Sequence, residues 1–205
     1  MVPDYWLQGA AAGLAIPDID TDTIIPIDYC VNRTRPHFDE GLFRSWRFTA
    51  SGRLRRDFVL NKKPRGGYKM LVVGPNFGCG SSREMAVWAL QDFGISCVIS
   101  QSFGEIFYNN CFQNEVLAAK VLEEDVRSLF KALEEHEGLS LSVNLEQNFI
   151  ESEFTSSIEF ELDSLRKSML VHNLHPINAT LTKEEAIFGF ESDYKERFSW
   201  VFSRD

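Results

Sequence analysis

Two serines, an arginine and a glutamate follow a pair of glycines near the middle of the chain. Gly78 and Gly80 flank Cys79, and the run Ser81-Ser82-Arg83-Glu84 comes directly after them. Free backbone N–H groups at the start of a helix, together with the helix dipole, favour an anion. The planar and permanently charged guanidinium of Arg83 matches the two oxygens of a carboxylate. The stretch therefore predicts an anion site, and a carboxylate is the best candidate for the anion.

A strand and a helix must position this stretch. Residues 70–73 form a short apolar run that Gly74-Pro75 ends, which predicts a buried strand. Ser81 and Glu84 have the spacing of a capping box, so the following helix is expected to begin at the serines. The helix itself is predicted from apolar residues at i, i+3, i+4 and i+7, which are Ala86, Ala89, Leu90 and Phe93. Gly94 follows them and can end the helix.

The same spacing has a purely structural interpretation. Glycines before a helix are common in turns, and Ser-x-x-Glu is common in helix caps. The stretch is neither a P-loop nor a G-x-G-x-x-G fingerprint. No lysine follows the glycines, so a nucleotide phosphate is a poor candidate for the anion. A functional anion site and an ordinary turn both remain open at this point.

A second polar cluster precedes it in the chain. Asp20-Thr21-Asp22-Thr23 stands directly before the apolar pair Ile24-Ile25. Aspartate and threonine side chains often bond nearby backbone N–H groups in turns, which is the structural interpretation. The carboxylate of Asp22 could instead lie beside Arg83, where it would orient the guanidinium or hold a serine hydroxyl.

Length, charge and cysteine content exclude several classes of protein. The 205 residues predict one domain over residues 1–205. The net charge of −9 argues against a nucleic-acid partner or an anionic membrane. No apolar stretch approaches the length of a membrane span, so a cytoplasmic protein is expected. The four cysteines lack the spacing of a zinc site, so no metal is expected on this chain: Cys30, Cys79, Cys97 and Cys111.

The remaining pattern predicts an α/β layer fold, because strands and helices alternate before a hairpin region begins. A second capping box is predicted at Ser102 and Glu105, at the start of another helix. The other predicted elements are strands at 9–16, 95–99 and 116–121, helices at 122–137 and 183–198, and a meander with strands at 139–143, 149–151 and 157–162.

Two motifs resemble a known family. The run Asn76-Phe77-Gly78-Cys79-Gly80-Ser81-Ser82-Arg83-Glu84 resembles the signature of 3-isopropylmalate dehydratase small subunits, in the aconitase superfamily. The segment Asp20-Thr21-Asp22-Thr23-Ile24-Ile25-Pro26 is similar to a second family segment, and the similarity covers nearly the whole chain. The resemblance implies the swivelling β/β/α domain of aconitases. It also implies half of an isomerase that converts 2-isopropylmalate into 3-isopropylmalate, by dehydration and rehydration, in leucine biosynthesis.

The resemblance implies roles for individual residues. Ser81 would be the base that removes a proton next to a carboxylate, with Asp22 beside it in the active site. Ser82 and Arg83 would bind carboxylate oxygens, and a mobile family loop makes Arg33 and Arg35 further substrate-binding candidates. A serine base needs a lowered pKa, and a helix N-terminus plus an arginine supply a field of the right sign. If Ser81 is the base, Ser82 or a backbone turn must cap the helix instead.

The resemblance also implies a partner. In the family a large subunit carries a [4Fe-4S] cluster on its own three cysteines, so no cofactor is expected on this chain and Cys79 is expected only to pack. A heterodimer or heterotetramer and a small dicarboxylate substrate follow. Self-association of the isolated chain is a further expectation, because an interface without its partner is often apolar.

One departure keeps alternatives open. Met85 stands where the family usually has histidine. Loss of a polar ring beside Arg83 leaves room for a related hydratase subunit acting on another 2-hydroxy diacid, of the citraconate or homoaconitate type. The third hypothesis is a non-catalytic, anion-binding partner protein.

Overall fold

One seven-stranded sheet organises the chain. The computed structural model describes residues 6–31, 34–62, 66–172, 176–181 and 183–202. The sheet order is β4-β3-β2-β1-β5-β6-β7. The strands are β1 (Leu7–Leu14), β2 (Tyr68–Val73), β3 (Cys97–Ser100), β4 (Leu117–Lys120), β5 (Ser140–Asn144), β6 (Phe149–Ser152) and β7 (Thr155–Glu159).

The helices of the described residues vary widely in length. The α-helices are α1 (Thr21–Ile24), α2 (Arg44–Arg47), α3 (Met85–Phe93), α4 (Glu105–Gln113), α5 (Glu123–Glu135), α6 (Ser164–His172), α7 (Pro176–Leu181), α8 (Glu184–Arg197) and α9 (Ser199–Phe202). Single turns of 3-10 helix lie at Ile27–Tyr29, Phe38–Glu40 and Val59–Asn61. No helix in these described ranges is long and apolar enough to cross a bilayer.

The sheet has a parallel half and an antiparallel half. Strands β1 to β4 run parallel to one another, whereas β5, β6 and β7 form an antiparallel meander that joins the sheet by pairing β5 antiparallel to β1. Beyond β7, Glu161 bridges to Lys120 of β4, the strand at the opposite edge. The two edges of the sheet therefore meet, and the sheet curls towards closure, which leaves less unpaired edge. The predicted α/β fold with a terminal meander is confirmed.

The parallel strands form the centre of the core. All four residues of β3 are buried, as are residues 70–73 of β2, so these strands are near-continuous apolar runs of the kind that helices cover on both faces. Helix α5 contacts β1, β2, β3 and β7. Helix α3 buries the predicted positions Ala86, Ala89 and Leu90.

The predicted start of α3 is wrong, and its predicted end is confirmed. Gly94 ends the helix in the left-handed region, with φ of 105°. The helix begins at Met85 and not at the serines, and Glu84 occupies the N-cap position without a side-chain hydrogen bond. Ser81 therefore lies in the loop before the helix, and its side chain is not used as a cap.

The capping box predicted for α4 is also wrong, although the helix is present. Gly104 occupies the N-cap position, and the helix begins at Glu105. The hydroxyl of Ser102 accepts a hydrogen bond from the Asn76 N–H at 2.8 Å, in the loop that follows β2. Ser102 therefore joins two loops to each other and does not cap a helix.

The loops that leave β1, β2 and β3 continue to pair beyond the sheet. All three loops begin at the carboxyl ends of parallel strands, so they lie at the same end of the sheet. The first loop pairs with the second, and the second pairs with the third. The main-chain bonds run from Asp18 N–H to Pro75 O (2.9 Å), Gly78 N–H to Ile19 O (2.7 Å), Thr21 N–H to Cys79 O (3.0 Å), Phe77 N–H to Ser102 O (3.3 Å) and Gly104 N–H to Phe77 O (2.9 Å).

Aromatic packing holds the segment between α1 and β2. Phe43 is fully buried, and its ring stacks on Trp46 with centroids 5.5 Å apart. Arg47 of this segment is buried. Its guanidinium donates to the carbonyl of Asp39 at 2.7 Å and to Asn61 Oδ1 at 3.2 Å. Burial lowers the pKa of Arg47, against the opposing charge of Asp39.

We predict that Gly78→Ala destabilises the protein more than Gly52→Ala does. Both glycines have positive φ, +73° and +77°, and this conformation costs about 1–2 kcal/mol for alanine. At Gly78 a Cβ would also lie 2.2 Å from Cγ of the Phe107 ring, whereas at Gly52 the nearest described atom is 4.0 Å away. We expect about 1–3 kcal/mol of additional loss at Gly78, measured as the free energy of urea unfolding. Equal losses for the two variants would contradict the close packing of Phe107 on this loop.

Candidate active site

An ion pair joins α1 to the loop before α3. Nη1 of Arg83 donates to Oδ1 of Asp22 and, at 3.4 Å, to the carbonyl of Ile25. The Arg83 side chain is 15% exposed and that of Asp22 is 54% exposed, so the pair lies at the rim of the fold. Asp20 caps α1, because its carboxylate accepts the Thr23 N–H at 2.7 Å. The structural interpretation is therefore right for Asp20, while Asp22 is free to face Arg83.

The loop between Gly80 and α3 presents unused donors. Ser81 and Ser82 are exposed. The backbone N–H groups of residues 81–84 donate to no acceptor within the described ranges, and the first N–H to do so is that of Ala86, which donates to the Arg83 carbonyl at 3.2 Å. Four consecutive amides, two hydroxyls and a guanidinium thus lie together before the helix. This arrangement can bind an anion.

The carboxylate of Glu84 is held away from these amides. Nδ2 of Asn114, at the end of α4, donates to Oε1 of Glu84 at 2.8 Å. Oδ1 of Asn114 accepts the indole N–H of Trp88 at 2.8 Å, which fixes the amide in turn. In a capping box the glutamate would turn back towards the residues before the helix. Asn114 holds it on the side of α4, so its negative charge does not occupy the anion site.

Two half-buried thiols lie near the loop. Burial raises the pKa of Cys79, and the carboxylates of Asp20 and Asp18 raise it further. Burial also raises the pKa of Cys30, although the positive charge of Arg83 opposes this effect. Both thiols are therefore protonated at neutral pH and are poor nucleophiles and metal ligands. Across the described ranges, no three His, Cys, Asp or Glu side chains are grouped so that they could hold a metal ion.

Arg35 lies towards the other end of α3. Its Nη2 donates to Oε1 of Gln91 at 2.9 Å and lies 3.6 Å from Oδ1 of Asp92. Its guanidinium also lies over the Trp88 ring, 5.5 Å from the centroid. The structure therefore does not bring Arg35 to the pair formed by Asp22 and Arg83. Its role in substrate binding stays a prediction, and Arg33 lies outside the described residues.

Two residues that shape the site were not among the predicted site residues. Thr21 is 1% exposed and donates from Oγ1 to the carbonyl of Ser81 at 2.9 Å. Asn114 positions Glu84 from 30 residues further along the chain. The position of Thr21 between two aspartates was a usable signal, because the aspartates mark the turn that meets the serine loop. No feature of the sequence indicates the role of Asn114, which depends on the packing of α3 beside α4.

Comparison with known proteins gives one consistent result. The model of the aconitase C-terminal domain family matches residues 6–124. A 3-isopropylmalate dehydratase small subunit from Rhodopseudomonas palustris (strain TIE-1) is 44% identical over 195 residues, which cover 95% of this chain and 97% of the relative. A protein of the same name from Brucella anthropi is 45% identical over the same shares of the two chains.

A solved structure extends the comparison to three dimensions. The crystal structure of 3-isopropylmalate dehydratase from Methanocaldococcus jannaschii matches with a TM-score of 0.61 and 28% identity, and the match covers 90% of this chain and 98% of that one. The aconitase-type fold that the two motifs implied is confirmed. The chain belongs to the family of 3-isopropylmalate dehydratase small subunits, and it carries the aconitase C-terminal domain.

Proposed function

We propose that this chain is one half of an isopropylmalate isomerase, which converts 2-isopropylmalate into 3-isopropylmalate by dehydration and rehydration in leucine biosynthesis. The observation that carries the proposal is the exposed loop Ser81-Ser82-Arg83, with its unused amides and its guanidinium fixed by Asp22. Relatives named as small subunits of this enzyme share 44% of their residues with the chain over nearly its whole length, which supports the same assignment.

Arg83 and Ser82 are proposed to bind a substrate carboxylate. Asp22 engages only Nη1 of the guanidinium, together with the Ile25 carbonyl, so the remaining N–H donors can take both oxygens of a carboxylate. The Arg83 side chain is largely shielded from water, which strengthens its interaction with an anion. The Ser82 hydroxyl and the backbone amides of the loop complete the set of donors.

Ser81 is proposed to be the base. In the dehydration step Oγ of Ser81 takes the proton from the carbon next to a carboxylate, the C–H electrons form the double bond, and hydroxide leaves from the neighbouring carbon. In the rehydration step Ser81 returns a proton while hydroxide adds to the other carbon. The alkoxide form of Ser81 is stabilised by the positive end of α3 and by Arg83.

A large subunit is proposed to complete the enzyme. The name of the relatives implies such a partner. We place a [4Fe-4S] cluster on that subunit, in a cytoplasmic heterodimer or heterotetramer, where an open iron would supply the Lewis acid for the leaving hydroxide. Exposed apolar side chains directly follow α1, with Ile27 at 49% and Val31 at 56% exposure, which supports a partner that covers this edge.

The test is reconstitution with the large subunit encoded by the same organism. We expect dehydration of 2-isopropylmalate by the anaerobically assembled complex and none by this chain alone. We predict that Ser81→Ala lowers kcat by about 10²- to 10⁴-fold, because the proton then has no acceptor. Ser157→Ala, which removes an exposed hydroxyl on β7, is the matched control and should leave kcat unchanged.

Other outcomes distinguish the remaining hypotheses. The complex with an intact cluster could fail to dehydrate 2-isopropylmalate but hydrate diacids of the citraconate or homoaconitate type. That result would change the substrate in the proposal. Full activity in Ser81→Ala would leave this chain a binding partner without a catalytic base. Met85→His is the natural companion variant, because Met85 is half-buried directly beyond the Arg83-Glu84 pair.

We predict that Arg83→Lys raises KM by about 10- to 100-fold. Lysine keeps the charge but lacks the planar guanidinium that can bind Asp22 and a substrate carboxylate at the same time. The hydrogen bonds that are lost contribute about 1.5–3 kcal/mol each when they involve charged groups. Arg127→Lys is the control, because Arg127 is also ion-paired with a carboxylate, that of Glu123, but lies exposed on α5. Steady-state kinetics of the two reconstituted variants measure the difference. An unchanged KM in Arg83→Lys would remove this residue from the substrate site.

A further inference from the structure

We propose that Thr21 is a positioning residue that sets the orientation of the Ser81-Ser82 peptide, and through it the reactivity of Ser81. The inference rests on the proposed function for its kinetic consequences, while its structural content stands on contacts within this chain. Separate experiments therefore test the kinetic consequences and the contacts.

Thr21 holds the serine loop at two points. Its backbone N–H donates to the carbonyl of Cys79 at 3.0 Å, and its Oγ1 donates to the carbonyl of Ser81 at 2.9 Å. The two carbonyls flank Gly80, which has φ of +87°. One buried residue thus fixes the Cys79-Gly80 and Ser81-Ser82 peptide groups, and the segment between them contains a glycine whose backbone conformation is otherwise permissive.

The neighbours of Thr21 extend this pairing. Asp20 forms a parallel bridge with Cys79, and Asp22 binds the side chain of Arg83. The N-cap residue Asp20 and the first two residues of α1 therefore contact residues 79, 81 and 83 of the serine loop. Of these three contacts, only the one at residue 81 depends on a neutral hydroxyl, so it can be removed without a change in charge.

The hydrogen bond to the Ser81 carbonyl also orients the next amide. A trans peptide group is planar, and its C=O and N–H point in opposite directions. Because the Ser81 carbonyl points at buried Thr21, the Ser82 N–H points away from Thr21, towards the side on which the serines are exposed. That N–H has no acceptor within the described residues. Thr21 thus directs a backbone donor to the open side of the loop, where a substrate oxygen or the Ser81 oxyanion would need it.

Loss of the hydroxyl would leave the Ser81 carbonyl without its partner. Because this bond is only partly buried, its loss costs about 0.5–1.5 kcal/mol, and the peptide can recover part of that by rotating towards water. Rotation would take the Ser82 N–H away from the open side. The ion pair between Asp22 and Arg83 does not involve this peptide, so we expect carboxylate binding to persist while the chemical step slows.

The experiment compares Thr21→Val with Thr21→Ser in the reconstituted enzyme. Valine has nearly the shape of threonine but no donor, whereas serine keeps the donor. We expect kcat to fall by about 10- to 100-fold in Thr21→Val with KM little changed, and both constants to stay close to wild type in Thr21→Ser. Equal kinetics for Thr21→Val and wild type would overturn the inference, as would an equal loss of kcat in both variants.

A destabilised control separates positioning from general loss of stability. Val126→Ala removes buried methyl groups from α5, a helix that contacts strands β1, β2, β3 and β7. If Val126→Ala, at a matched loss of unfolding free energy, lowers kcat as much as Thr21→Val does, the role of Thr21 is merely structural and the inference fails.

A readout without activity keeps the inference testable if the proposed function is wrong. We expect the amide proton of Ser82 in the isolated chain to change its NMR shift and its exchange rate in Thr21→Val but not in Thr21→Ser. An inactive wild-type complex together with this amide pattern would reject the proposed function and retain the positioning role. An active wild-type complex with identical Ser82 amides in all three proteins would reject the positioning role alone.

Discussion

The pairing of the loop after β1 with the loop after β2 is the constraint on which the rest of the site depends. Both loops follow neighbouring parallel strands. Beyond the last hydrogen bond of the sheet, main-chain bonds still join residues 18–21 of the first loop to residues 75–79 of the second. Since these bonds use backbone groups, side chains such as Asp22 and Ser81 are left for other tasks. The pairing requires close approach, and Gly74 allows it because a Cβ there would lie 2.3 Å from the carbonyl oxygen of Ile16.

The hydrogen-bond donors of the site face its open side, although the whole chain is acidic. The net charge is −9, yet each nearby carboxylate has another partner: Asp22 is paired with Arg83, Glu84 is bound by Asn114, and Asp20 caps α1. What remains on the open side is the positive end of α3 and the unused N–H groups of the loop. The field that a small diacid meets at contact is therefore set by these groups and not by the sum over the molecule.

Hydrophobic patterning made much of the fold predictable. Short apolar runs bounded by glycine and proline predicted the parallel strands, since such strands are buried on both faces. Both predictions of a capping box were wrong for one reason. The spacing Ser-x-x-Glu describes only local hydrogen bonding, whereas Ser81 and Ser102 are held by hydrogen bonds to residues far away in the sequence. The burial of Arg47 and the contacts of Arg35 with α3 depend on the tertiary structure, so the sequence could not show them.

The residues of the site also divide into those that the sequence pattern could place and those whose contacts depend on the tertiary structure. Asp22, Ser81, Ser82 and Arg83 come together because each follows the end of a predicted strand by six to ten residues, and parallel strands bring such ends to the same end of the sheet. Thr21 acts through its hydroxyl and its backbone N–H, and its place between two aspartates is the one signal the sequence offered. Asn114 acts through its side-chain amide, and no feature of the sequence indicates that contact.

The site is built before any partner is present. The pair of Asp22 with Arg83, the bond from Thr21 to Ser81 and the bond from Asn114 to Glu84 all lie within this chain. A partner therefore does not have to order the serine loop on binding, and the free energy of association is not spent on that ordering. In the proposed function the partner covers the exposed side and supplies an electrophile for the leaving hydroxide. Donors held in place beforehand are also the most effective for catalysis, because they need no reorganisation when charge develops on the substrate.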